Sequence, residues 1–181
     1  MSVVYLLEGV IMRAILEHKF DELPIEISEV KEHFALSDSD SDIAKFLQNA
    51  IEHVELQTGL SLQKKVWKII HDNSYLNLAF GPVLKILSIT DGVGNSVEPM
   101  HVRRTHDNLI IQFLKDGVFK VRYEAGYDKE TLPNCLKHTI FEKFWDLYSQ
   151  NLFDDNDAGS QDAYFMQEKK KVDDVKYYFK F

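Results

Sequence analysis

The sequence predicts an α+β protein: a small helical bundle with an antiparallel β region inserted before its last helix. Three observations lead there. Ile43, Phe46, Leu47, Ala50, Ile51 and Val54 recur at helical spacing and form one apolar stripe. Between residues 62 and 123 the period shortens to two and turn residues punctuate the chain. After Leu132-Pro133 an aromatic-rich stretch returns to helical spacing.

The elements follow in order. Residues 1–22 are an apolar, then charged lead-in whose pattern assigns neither helix nor strand. Glu8 and Arg13 interrupt its apolar run, and it lacks a basic start and a small-residue cleavage site, so no signal peptide is expected. Pro24 restarts the chain. Ser28 is the expected N-cap of a helix over about 29–35, with Val30 and Phe34 on one face. Ser37–Asp42 alternates Ser and Asp. A calcium loop begun at Asp38 would need Gly and Glu where Ile43 and Asn49 stand, so the run reads as a helix start. Ser39 and Asp42 have capping-box spacing, and the carboxylates suit the helix dipole. The helix, about 40–58, turns Lys45, Gln48, Asn49, Glu52 and Glu55 outward and ends at Thr58-Gly59.

Strands are expected at 62–70, 75–80, 83–90, 109–114 and 118–123. Gly81-Pro82, Asp91-Gly92 with Gly94-Asn95, and Asp116-Gly117 supply the joints, and Asp116-Gly117 reads as a hairpin turn. The third helix, about 134–151, carries two apolar stripes: Phe141, Phe144, Trp145, Tyr148 and Leu152, and Leu136, Ile140, Phe144 and Leu147. That width calls for more than one neighbour. Residues 153–162 read as a polar linker and lead to a tail ending in Tyr177, Tyr178, Phe179 and Phe181. The domain organisation is therefore a lead-in at 1–22, a folded unit at 23–152, and a linker with an aromatic tail at 153–181.

The chemistry is sparse. The formal net charge of −8 argues against a free-standing nucleic-acid binder, which needs a basic excess for phosphate contacts. The single cysteine, Cys135, precludes an internal disulfide and a cysteine zinc site; it reads as a small buried apolar residue in a helix. No segment approaches the ~18 apolar residues of a membrane span. None of the seven histidines has metal-ligand spacing, and no nucleophile elbow or phosphate-cradling loop occurs. Catalytic, cofactor and metal residues are accordingly expected to be absent. Arg103 and Arg104, with His101 and His106 nearby, form the only basic cluster in the β region; they could touch phosphate, but in an exposed loop they read as a solvated face or a subunit contact. The four tail aromatics read either as folded back on the domain or as docked on a partner.

Two segments carry a resemblance. Residues 23–62 run LPIEISEVKEHFALSDSDSDIAKFLQNAIEHVELQTGLSL, with Glu29-Val30-Lys31, the acidic gap Asp38–Asp42 and Thr58-Gly59. Residues 121–152 run VRYEAGYDKETLPNCLKHTIFEKFWDLYSQNL, with Tyr123-Glu-Ala-Gly-Tyr127, Leu132-Pro133 and the aromatic helix. In order and spacing these are similar to the head–tail connector (portal adaptor) proteins of tailed bacteriophages, over about 130 of the 181 residues. The lead-in and the tail do not align with that pattern.

The resemblance implies a connector domain over 23–152 and a structural virion protein without enzymatic role or cofactor. It implies a homo-oligomeric ring, twelvefold in the virion, at the head–tail junction. Its partners would be the portal protein and the next neck or tail protein, with DNA passing through the lumen, no sequence-specific binding and no membrane. Synthesis would be in the bacterial host cytoplasm. The alternatives are a tail-completion or stopper protein and a small metal-dependent hydrolase built on His101, His106 and Asp107.

Overall fold

The computed structural model describes residues 2–7, 10–105 and 108–154. The order is β1 (Ser2–Leu7), β2 (Val10–Lys19), α1 (Ile27–Phe34), α2 (Asp40–Thr58), β3 (Lys65–His71), β4 (Tyr75–Asn77), β5 (Val83–Asp91), β6 (His101–Arg104), β7 (Leu109–Gln112), β8 (Phe119–Ala125) and α3 (Asn134–Asp154). The α+β class stands, but a helical bundle with a β insertion does not describe it. The lead-in is not an appendage of undefined structure: β1 and β2 form an antiparallel pair that extends the main sheet. That sheet has five strands in the order β1-β2-β3-β8-β5, and a second has the order β4-β7-β6, with every pairing antiparallel.

Two apolar cores result. One lies between the sheets and holds Trp67, Ile69, Val121 and Tyr123 from the large sheet with Leu76, Leu109 and Ile111 from the small one. Phe113 and Phe119 stack there, ring centres 3.6 Å apart. The other joins the three helices through Val30, Ile43, Leu47, Ile51, Ile140 and Phe144. The apolar stripe of α2 is buried as its spacing predicts, except Phe46, which is half-buried.

Local details follow the sequence in part. Ser39 caps α2, its Oγ accepting from Asp42 N at 3.3 Å. Gly59 closes α2 in the left-handed conformation, φ 70°. Ser28 does not cap α1; Glu26 holds that position, and Ser28 Oγ donates instead to Glu26 Oε2. Asp116-Gly117 is not a hairpin turn, because β7 and β8 belong to different sheets. The turn carries the chain from one sheet to the other, and Asp116 Oδ1 accepts from Ser74 N at 2.9 Å. Cys135 is exposed, not buried, because it lies in the first turn of α3, ahead of the residues that face the core.

Candidate interaction surfaces

The most constrained site is the junction of the two cores. Glu55, on the last turn of α2, is buried rather than outward-facing. Its Oε1 accepts from the backbone of Leu62 (2.8 Å) and Gln63 (3.1 Å), and its Oε2 pairs with the buried Lys65 ammonium. The chain leaves α2 and returns over its own last turn, so a carboxylate there satisfies amides that would otherwise be orphaned. Gly126 closes the other side. Its φ is +133°, and a Cβ there would lie 2.7 Å from Lys64 Cα and 2.8 Å from the Gln63 carbonyl. Gly126 N donates to Pro82 O and Tyr127 N to Leu62 O. Tyr123, fully buried, donates its hydroxyl to Ala79 O. The Tyr-x-Ala-Gly-Tyr motif is therefore the seam that fixes helices to sheets.

Of the candidate interaction residues, Arg103 and Arg104 lie not in a loop but on β6, an edge strand of the small sheet, where every residue is exposed. Arg103 stands opposite Ile110 and Arg104 opposite Leu109. His101 is on the same strand; His106 and Asp107, the other two residues of the hydrolase alternative, lie outside the described residues. Tyr177, Tyr178, Phe179 and Phe181 also lie outside them. Exposed apolar residues flank the small sheet: Met100, Val102, Leu114 (84% exposed) and Val118. Val93 (89% exposed) tips the β5–β6 connection. That turn is rigidly tied, since Asp91 Oδ1 accepts from the amides of Val93, Gly94 and Asn95. The Asn95 side-chain contact first, then these amides, hold the Asp91 carboxyl below its usual range. On the helical side Phe34 stacks on Trp145 at 5.1 Å, and the indole remains 43% exposed. The stripe of α3 that carries Trp145 is therefore only partly covered by the described residues.

One surface escaped the sequence reading. The face of the five-stranded sheet turned away from the core carries Arg13, Lys68, Lys85, Lys120 and Arg122 against Glu17 and Glu124. The register aligns Ile15, Lys68, Arg122 and Ser88 in one row and Arg13, Ile70, Lys120 and Thr90 in the next. Only strand pairing brings these residues together; the alternation along each strand was the available signal.

Among the described residues no group of three or more His, Cys, Asp or Glu is placed to hold a metal ion. No helix there is long and apolar enough to cross a membrane. The depression between Glu22, Leu23, Lys64, Tyr127, Asp128 and Lys129 has room for little more than a water molecule, whereas small-molecule sites run to ~300 Å³ or more.

No protein-family model matches the sequence, and no curated protein matches it. Solved structures do. A chain from the neck of an empty gene transfer agent (GTA) particle, computed with C6 symmetry, superposes with a TM-score of 0.61 at 17% identity, covering 73% of this chain and 83% of that one. A chain from the neck of the native GTA particle, computed with C12 symmetry, gives 0.59 at 17% identity over 75% and 83%. A chain from the virion of the native particle gives 0.58 at 19% over 73% and 83%. The chain thus shares its fold with chains of the neck and virion of a gene transfer agent particle.

Proposed function

We propose that this chain is a structural neck protein of a tailed phage or phage-like particle, with no catalytic role. In this reading it is one subunit of a ring around the DNA channel, joining the portal to the next neck or tail protein, in the virion at the head–tail junction. The observation that carries the reading is the fold likeness to GTA neck chains, which covers about three quarters of this chain and most of theirs. It coincides with the sequence resemblance to head–tail connectors, which rests on different information: residue motifs, not backbone shape. Several features support it further. The described residues offer exposed apolar and aromatic surface on two sides. The net charge of −8 suits a channel wall along which DNA must slide without sticking. The neck structures that share the fold were computed with sixfold and twelvefold symmetry, as a ring of this subunit would require.

Native mass spectrometry and negative-stain microscopy of the full chain, alone and mixed with the portal protein of the same particle, test the reading. It expects a closed ring or a ring-on-portal complex. A strict monomer in both samples would overturn it.

A further inference from the structure

We infer that the basic outer face of the five-stranded sheet is a subunit–subunit contact, and that its occupant is the acidic α1–α2 surface of a second copy of this chain. The inference rests on the ring reading above and supplies what that reading lacks: the two surfaces that meet.

Charge is distributed unevenly in the chain. Residues 21–59 hold ten Asp and Glu against two Lys and Arg; Glu26, Glu29, Glu52 and Glu55 meet Lys129, Lys137, Lys19 and Lys65 from outside the segment, and an acidic excess of four remains. Glu32, Asp38, Asp40 and Asp42 on and beside α1 and α2 are exposed, with Asp40 meeting Lys31 at 2.6 Å and Asp42 meeting Lys45 at 3.1 Å. The outer sheet face has the opposite bias: leaving Arg13 aside, Lys68, Lys85, Lys120 and Arg122 stand there with the two carboxylates Glu17 and Glu124. Pairing among these six does not cancel the excess. Glu17 alone serves both Arg122 (2.7 Å) and Lys68 (4.0 Å). Lys85 meets Glu124 at 3.1 Å and is 63% exposed. Lys120 ends on the neutral carbonyl of Gly92. Between the cations lie Ile15 and Ile70, half-buried, on the same face. A basic rim around apolar residues is the composition of a docking surface, not of a purely solvated one.

The two surfaces are different patches of one molecule, so their association is head-to-tail. Such contacts close into rings when the rotation permits, whereas a twofold dimer would need one self-complementary patch. The complementary charges would also set the register and speed of assembly. Duplex DNA is the competing anion. The acidic occupant is favoured because the chain itself carries it in the same stoichiometry, and because the net charge of −8 opposes approach to phosphate.

The test is sedimentation velocity on the full-length chain with three variants, each checked for native circular dichroism. Lys68→Glu/Arg122→Glu reverses the sheet face; Lys68→Gln/Arg122→Gln, a milder change, guards against misfolding of the first; Glu32→Lys/Asp40→Lys reverses the helical face. Wild type is expected to self-associate and to weaken as salt rises. Either reversal alone should weaken association by about tenfold or more, and an equimolar mixture of the two reversed variants should regain mixed assemblies. Unchanged association of the sheet variants would overturn the inference while leaving the ring reading intact. So would loss of binding to a DNA duplex without loss of self-association, or a fall in thermal stability alone, which would mean the face is covered by its own chain. A wild type that stays monomeric even with portal protein would overturn both.

Discussion

Removing the Glu55 carboxylate is the perturbation whose cost can be worked out most fully. Glu55→Ala takes away the acceptor of two backbone amides, Leu62 N and Gln63 N, and the counter-charge of Lys65. Each buried amide left without a partner costs about 1–3 kcal/mol. The stranded ammonium adds to that unless it reaches water, which its nearly complete burial hinders. Breaking a buried pair from one side usually costs about 3–5 kcal/mol in total, and that is the expected loss here. Lys65→Met should cost less, about 1–2 kcal/mol, because Glu55 keeps both amide donors. The double variant Glu55→Ala/Lys65→Met should cost at least about 1 kcal/mol less than the two singles summed, because the stranded charge is gone. Urea unfolding followed by fluorescence is the assay. Trp67 reports directly, since it is buried beside the junction with its indole donating to Ser61 Oγ at 2.9 Å. A loss below about 1 kcal/mol for Glu55→Ala, or an equal loss for Lys65→Met, would refute the view that Glu55 ties α2 to the sheets.

Gly126→Ala should destabilise by more than about 2 kcal/mol, because φ +133° strains any L side chain and the new Cβ strikes the Lys64 backbone; thermal unfolding measures it. Gly59→Ala, at φ +70° with open space around it, should cost only about 1 kcal/mol in the same assay. The Tyr148 hydroxyl donates to Asp38 Oδ2 at 2.5 Å, and that bond, with burial and the carboxylate charge behind it, pushes the phenol up to about 12. The folded state thus holds the proton more tightly than the unfolded state. The resulting stability is fully present below pH 10 and is lost as pH rises to about 12. Denaturant titrations should show that decline in the wild type and a flatter profile in Tyr148→Phe. Deleting residues 172–181 should weaken assembly with a partner and leave the melting temperature within a few degrees, measured by pull-down and calorimetry.

The regular elements were legible because local rules decide them. The 3.6-residue stripe of α2, its Ser39 cap and its Gly59 terminus need only neighbours in sequence. The alternation in β8, with Phe119, Val121 and Tyr123 inward, is equally local. What escaped depends on contacts distant in sequence. Residues 10–19 become a strand because β3 offers them an edge, residues 2–7 pair in turn with β2, and the partner of Lys19 is Lys65, far along the chain. Glu55 sits at an outward position of the helical wheel, but the returning chain at 61–65 buries it. Asp116-Gly117 has hairpin chemistry, yet β8 is claimed by β3 and β5. The short β6 has no apolar alternation, since His101, Val102, Arg103 and Arg104 are all exposed. The basic sheet face was invisible for the same reason, as its cations come from β2, β3, β5 and β8.

A structural role at the head–tail junction is tested most directly by electron microscopy of particles made without this chain. A nonsense mutation early in its gene, with the full-length chain supplied from a plasmid as control, should yield capsids and separate tails but no joined particles. Complementation should restore tailed virions. Normal numbers of intact, tailed, infectious particles in the absence of the chain would contradict the account.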